Sequence, residues 1–414
     1  MSRIRIKNFG PIKEGLIEND GWIDVKKVTV FIGNQGSGKS TVAKLISTFT
    51  WIEKATNRGD INLNELTPYT FLKFFTFQGI ENYFLPDTEI EYEGDRYFIN
   101  YRKKGNKLIF VEGKNTSYIV PKLMYIPAER NFLSTIKDAF NVKGLPEHLF
   151  TFAEELRKAQ KQSNGRSIEL PIKNYSYEYD EQTESSFLYN KNHRINLMQA
   201  SSGFQSLIPL FLVTRYLINL IEKSKESPRE SMSVNQSIRM SEEITNITLN
   251  SSLSINEKQQ QLNKVKSKYI NRCLFSIIEE PEQNLFPSSQ RLILNSILAF
   301  NKRPSTNKLI ITTHSPYIIN YLTLAVQAHS LKNKLKYESV NDPVSLLSRL
   351  NGIVPTTATI KQEDLVIYEM NDLNGSITKL GNFEGIPSDK NYLNQSLRRG
   401  NEMFDSLLAI EQEL

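Results

Sequence analysis

A single cysteine, Cys273, leaves this 414-residue chain no internal disulfide to make and suits a reducing compartment. The four histidines, His148, His193, His314 and His329, lack the short spacings that zinc ligands need, so no zinc centre is expected. No apolar run approaches the roughly 20 residues of a membrane span, and the opening "MSRIRIKNFG" has no signal-like apolar stretch. The expectation is a cytoplasmic protein with no membrane partner. Charge of one sign does not dominate either: 51 Lys and Arg stand against 45 Asp and Glu, for a net charge of +6. That balance permits contact with nucleic acid without establishing it. The clusters "YRKKGNK" (101–107) and "SLRRG" (396–400) read more readily as solvated turns than as phosphate contacts. No internal repeat is present, and no heptad run is long enough for an extended coiled coil.

What is there is a globular composition, 39% hydrophobic and 23% charged. Strands are expected at "RIRIKNF" (3–9), "WIDV", "KVTVFIG" (27–33) and "KLMYI" (122–126), with an antiparallel meander over 88–113. Helices are expected over 41–53, 131–160, 204–223 and 289–300, with a hairpin over 174–198. After "RCLFSII" (272–278) and "KLIITT" (308–313), a second hairpin at 364–380 and a helix over 391–414 close the chain. Strands alternating with helices make this an α/β fold: a mainly parallel core sheet, an antiparallel β subsheet and a helical lobe. Four regions follow. Residues 1–126 hold the N-terminal part of the core, 127–223 a helical lobe and hairpin, 224–268 a polar inserted arm, partly disordered or helical, and 269–414 the C-terminal part of the core.

The most specific motif is "GNQGSGKST", Gly33, Asn34, Gln35, Gly36, Ser37, Gly38, Lys39, Ser40 and Thr41, lying between a strand and a helix. Its glycines let consecutive N–H groups turn inward as an anion nest, and the helix that follows adds its positive end. In such a loop Lys39 reaches the β- and γ-phosphates and the Ser40 hydroxyl ligates Mg²⁺. The motif names a ligand class and little more.

Three further stretches narrow it. In "FSIIEEPEQNLFP" (275–287) an apolar strand ends in adjacent carboxylates. Glu279 is positioned to hold Mg²⁺ opposite Ser40, and Glu280 to polarise a water as general base. "LMQASSGFQSLIPL" (197–210) puts Ser201 and Gly203 at a helix start, either a second anion site or an ordinary N-cap. "LIITTHSP" (309–316) ends a strand at His314, which a structural role also accounts for.

In this order the motifs resemble the ABC-class ATPases, in particular the RecF/SMC/OLD-like branch, whose style "IRIKNFGPI", "EEPEQNLFP" and "THSP" share. The resemblance implies ATP and Mg²⁺ as cofactors, Glu279 on the metal, Glu280 as base and His314 as a sensor of the γ-phosphate. It also implies that Ser201 and Gly203 touch ATP held by a second copy, so that two heads close head to tail on ATP. Small single-chain members include bacterial phage-defence ATPases that act with a separate nuclease or toxin. That role is the expectation here, because the carboxylates after His314 lack the clustering of a Toprim-like nuclease. A DNA-repair or chromosome-maintenance ATPase and a nucleotide-gated scaffold with little turnover are the alternatives, and a transporter motor fits least. The chain departs from the family at several positions. The signature reads "ASSGFQS", the metal-holding acid is Glu279 where Asp is usual, and Phe286 stands where relatives often have His. Ala128-Glu129-Arg130 replaces a customary glutamine, with Glu129 either substituting for it or pairing with Arg130.

Overall fold

The computed structural model describes residues 2–113, 118–191, 193–224, 232, 234–337 and 342–412. The fold is built around a seven-stranded sheet. Its strands run Gly15–Leu16, Ser376–Lys379, Leu365–Met370, Val28–Gly33, Lys308–Thr313, Cys273–Glu279 and Pro121–Ile126 from edge to edge. The last five are mutually parallel, while Ser376–Lys379 runs antiparallel to Leu365–Met370. Every residue of Val28–Gly33 and Cys273–Glu279 is buried, as expected of parallel strands covered on both faces.

The period-two alternation of these strands divides the apolar residues between two cores. Val28, Val30, Ile32, Leu274, Ile278, Leu309 and Ile311 face the helical lobe. Phe31, Phe275, Ile277 and Ile310 face the opposite core, which the helix Lys39–Arg58 and a second sheet cover. That five-stranded antiparallel sheet takes in Trp22–Asp24, Arg3–Phe9 and the meander Phe84–Glu93, Tyr97–Arg102 and Lys107–Glu112. Full burial of side chains such as these contributes about 1.5–3 kcal/mol each.

Several expectations change in detail. The helices expected over 131–160 are a short one, Phe132–Thr135, and a longer one, Glu147–Ser163, with a 3₁₀ turn at Ala139–Asn141 between them. The hairpin at 174–198 is the heart of a four-stranded sheet: Arg194–Asn196, Ser185–Tyr189, Ser176–Asp180 and Ile168–Glu169; residue 192 lies outside the described residues. The arm holds two packed helices, Val234–Leu249 and Ile255–Tyr269, joined by Met240, Val265 and Tyr269. Its serine-rich start, residues 225–231 and 233, lies outside the described residues, as do residues 413–414 of the closing helix. "SLRRG" is helical, within Tyr392–Gln412, and not a turn.

The membrane expectation also needs correcting. The helix Ser202–Ser224 is long and apolar enough to cross a bilayer by length and composition, although 72% of its most apolar stretch is buried inside the fold. A core helix flanked by apolar neighbours reaches the same composition as a span.

Candidate nucleotide site

The loop joining Val28–Gly33 to Lys39–Arg58 is held open by backbone geometry. Gly33, Gly36 and Gly38 all adopt positive φ, a region that favours glycine. At Gly33 the constraint is also steric, because a Cβ would lie 2.4 Å from the Met370 carbonyl oxygen on the neighbouring strand. The helix starts at Lys39 with Gly38 as its N-cap, without a side-chain cap and with no acid in its first turn. Its first N–H groups are therefore available to an anion.

Lys39 is buried, and its Nζ donates to the carbonyls of Gly33 at 3.0 Å and Asn34 at 2.8 Å. Burial lowers its pKa to about 8 against the pull of Glu280, Glu282, Glu279 and Asp372. Ser40 and the tip of the loop, Asn34, Gln35 and Gly36, are exposed, whereas Ser37 and Thr41 are buried. The Ser37 Oγ is buried without a hydrogen-bond partner. Asn34 Nδ2 donates to Asp372 Oδ2 at 3.0 Å. The closing hairpin thus reaches the loop, a contact the motif itself does not announce.

The tandem glutamates stand at the end of the adjoining strand. Glu279 is buried and faces the same side as Phe275 and Ile277. Its Oε2 accepts from the Ala128 N–H at 3.3 Å, while Oε1 is buried with no partner. An orphaned carboxylate oxygen within electrostatic reach of Lys39, the residue before the exposed Ser40, suits a hard divalent cation such as Mg²⁺. Glu280 leaves the strand at φ 43°, an uncommon conformation for a non-glycine residue. Its Oε1 lies 3.5 Å from His314 Nε2. Burial raises the Glu280 pKa, and Glu279 beside it pushes the same way. The His314 imidazole is held below its usual range by burial and then by Lys39, which favours the neutral ring.

Two residues that sequence reasoning underrated organise this cluster. Glu282 Oε1 accepts from Thr313 Oγ1 at 2.7 Å and from the His314 N–H at 2.8 Å, fixing the strand end that carries the histidine. Arg130 is fully buried. It donates to the carbonyls of Glu279 and Glu280, both at 2.7 Å, of Pro127 at 3.1 Å, and of Ser206 at 3.0 Å. The open alternative for Glu129 and Arg130 is therefore settled for Arg130: its bonds go to backbone oxygens, not to a neighbouring carboxylate. A seven-residue strand ending in two carboxylates signals an acid site, but nothing local marks an arginine 149 positions away as its clamp.

Ser201 and Gly203 lie on the far side of that clamp. The helix begins at Ser202, and the Gln205 N–H donates to the Ser201 carbonyl at 3.1 Å. A Cβ on Gly203 would sit 2.8 Å from the Asn284 carbonyl, in the loop after the tandem glutamates. Asn284 Nδ2 also donates to Ser206 Oγ at 3.1 Å. The structure gathers Lys39, Glu279, Glu280 and His314, and among the described residues no hydrogen bond joins Ser201 or Gly203 to the phosphate loop of the same chain. Phe286 is 75% exposed, with no polar function at that position.

Residues 130–319 match the family described as AAA ATPase domain. That stretch includes Arg130, the tandem glutamates and His314 but starts after the phosphate loop. No curated protein matches. Among solved structures, the chain is similar to an SmcHead bound to the C-winged helix domain of ScpA, at 8% identity, with 91% of this chain and 95% of that one covered and a TM-score of 0.38. It is also similar to the SMC head domain from Thermotoga maritima, at 9% identity, 92% and 98% coverage and a TM-score of 0.36. A dimeric post-hydrolysis state of the ATP-binding cassette MJ0796 bound to ADP and Pi aligns at 11% identity, 92% and 100% coverage and a TM-score of 0.29.

Proposed function

We propose that this chain, an ATPase of the ABC and SMC P-loop type, hydrolyses Mg²⁺-bound ATP in a site shared between two copies. The observation that carries the reading is the convergence of Lys39, Glu279, Glu280 and His314 around one open phosphate loop. Gly33 to Thr41 cradle the triphosphate, and Lys39 turns from its own loop carbonyls to the β- and γ-phosphate oxygens. Glu279 and Ser40 hold Mg²⁺, which when bound neutralises charge on the phosphates. Glu280 accepts a proton from the water whose oxygen bonds to the γ-phosphorus as the bond to the ADP oxygen breaks. His314, neutral and 3.5 Å from Glu280, orients that carboxylate and reads the γ-phosphate.

Ser201 and Gly203 complete the site of a second copy. The exposure of Ser201 and Ser202 at the helix start supports this, because an exposed helix N-terminus is available to an anion held by another copy. The Arg130 bonds to Ser206 and to both glutamate carbonyls connect the two half-sites within one subunit. The wider role is a cytoplasmic motor, sensor or gate for a nucleic-acid-directed system, with anti-phage defence through a separate nuclease or toxin as the favoured setting.

The test is association of the Glu280→Gln variant by light scattering with and without Mg²⁺-ATP. ATP should drive it to dimers, and adding Ser201→Arg should prevent this while leaving ATP bound to single subunits. Nucleotide-independent behaviour of both variants would sink the shared-site reading. Autonomous cleavage of DNA or RNA by the pure chain would remove the separate effector.

A further inference from the structure

The strand Pro121–Ile126 closes one edge of the core sheet and pairs in parallel with Cys273–Glu279, which sets Tyr125 opposite Ile277. Tyr125 and Ile277 belong to the same core, and Glu279, two residues beyond Ile277, shares that face. The two residues amount to about 6.6 Å of strand, a distance that a tyrosine leaning along its strand spans with its ring and hydroxyl. The Glu279 side chain leans to meet it. Its Oε2 accepts from the Ala128 N–H at 3.3 Å, just past the end of the strand that carries Tyr125. The tyrosine ring is braced from the other side by His148, edge to face at 5.8 Å between centroids.

Tyr125 and Glu279 are each 5% exposed. The Tyr125 hydroxyl and Glu279 Oε1 are both buried without a hydrogen-bond partner of ordinary geometry. The phenol is nevertheless close enough to Glu279 for that acid to be, after burial, the main cause of its raised pKa. One orphan is a donor and the other an acceptor, so each supplies what the other lacks. Glutamate has one more rotatable bond than aspartate, and the single Ala128 N–H leaves its carboxylate free to turn. A second donor, on Oε1, fixes it. That oxygen keeps a further lone pair, so the hydroxyl does not displace a metal ion.

We propose that Tyr125 is a positioning residue for Glu279: its hydroxyl donates to the carboxylate and sets the oxygen that receives the divalent cation. This rests on the proposed Mg²⁺-ATP site. A carboxylate held at two points suits the strict octahedron of Mg²⁺, whereas a loose one still serves the variable shell of Ca²⁺. Tyr125→Phe keeps the ring and removes only the oxygen. The affinity of the full chain for a fluorescent ATP analogue is measured in EDTA, in saturating Mg²⁺ and in saturating Ca²⁺. The gain in affinity that Mg²⁺ confers on the wild type should fall roughly tenfold in Tyr125→Phe. The gain from Ca²⁺ should fall less, and the affinity in EDTA should not change. In a Glu279→Gln background, adding Tyr125→Phe should leave the Mg²⁺ gain where it was, because no carboxylate is left to hold. An unchanged Mg²⁺ gain in Tyr125→Phe overturns the assignment. So does an equal loss in all three conditions, which is the signature of packing alone, or a loss of the same size in the Glu279→Gln background. A wild type whose affinity is indifferent to Mg²⁺ overturns the metal site itself, and Tyr125 with it.

Discussion

Lys39 and Glu280 are both held where burial disfavours their charged forms, and the consequence is a narrow working range of pH. In its proposed role Lys39 must be protonated to meet phosphate, and with its pKa lowered to about 8 it loses that proton as pH rises through that value. As the proposed base, Glu280 must be ionised to accept a proton, and its raised pKa would make it lose that role at a higher pH than an ordinary glutamate as pH falls. The pH profile of kcat/KM, which reports the free enzyme, should therefore be bell-shaped, with its alkaline limb near 8. Lys39→Ala should abolish tight ATP binding in an equilibrium assay. The candidate residues stood out in the sequence because their signals are local: glycines at 33, 36 and 38, which the structure holds at positive φ, and an apolar strand followed by two adjacent acids. Glu282 and Arg130 did not, because each acts on backbone groups far away in sequence. Such bonds leave no spacing to read.

At the scale of elements, the helix Ser202–Ser224 and the strand Cys273–Glu279 are coupled by one guanidinium and one close backbone approach. Arg130→Met leaves four carbonyls without their donor in a buried site. It should destabilise the fold by about 3 kcal/mol in denaturant titration. Gly203→Ala forces the helix start away from Asn284, and it should lower ATP turnover more than ATP affinity, as steady-state kinetics beside equilibrium binding will show. Equal losses in both would assign Gly203 to packing alone. The strands of the core sheet were legible from their apolar, β-branched runs. The four-stranded sheet around Ser176–Asp180 was only half visible, because Ile168–Glu169 and Arg194–Asn196 are too short to show a period. A partly helical arm was expected, but its two-helix packing was not legible. Val234–Leu249 and Ile255–Tyr269 bury only Met240, Val265 and Tyr269 between them, too few apolar positions to stand out in a polar stretch, although Ser254 and Glu257 form a capping box.

At the scale of the molecule, two faces stand open. One is the phosphate loop with its acids, and the other is the helix start at Ser201. In the proposed function the second face of one copy completes the first face of another. Mixing two inactive variants tests this most directly. Lys39→Ala removes a phosphate loop but keeps an intact Ser201 face, and Ser201→Arg does the opposite. In a head-to-tail pair made of one of each, one of the two shared sites is whole. Each variant alone should show no ATP turnover above background, and an equimolar mixture should recover turnover, up to about half the wild-type rate when only mixed pairs form, each with one whole site of two. A mixture as inactive as its parts, or a Ser201→Arg chain that turns over ATP alone at the wild-type rate, would contradict a site shared between copies.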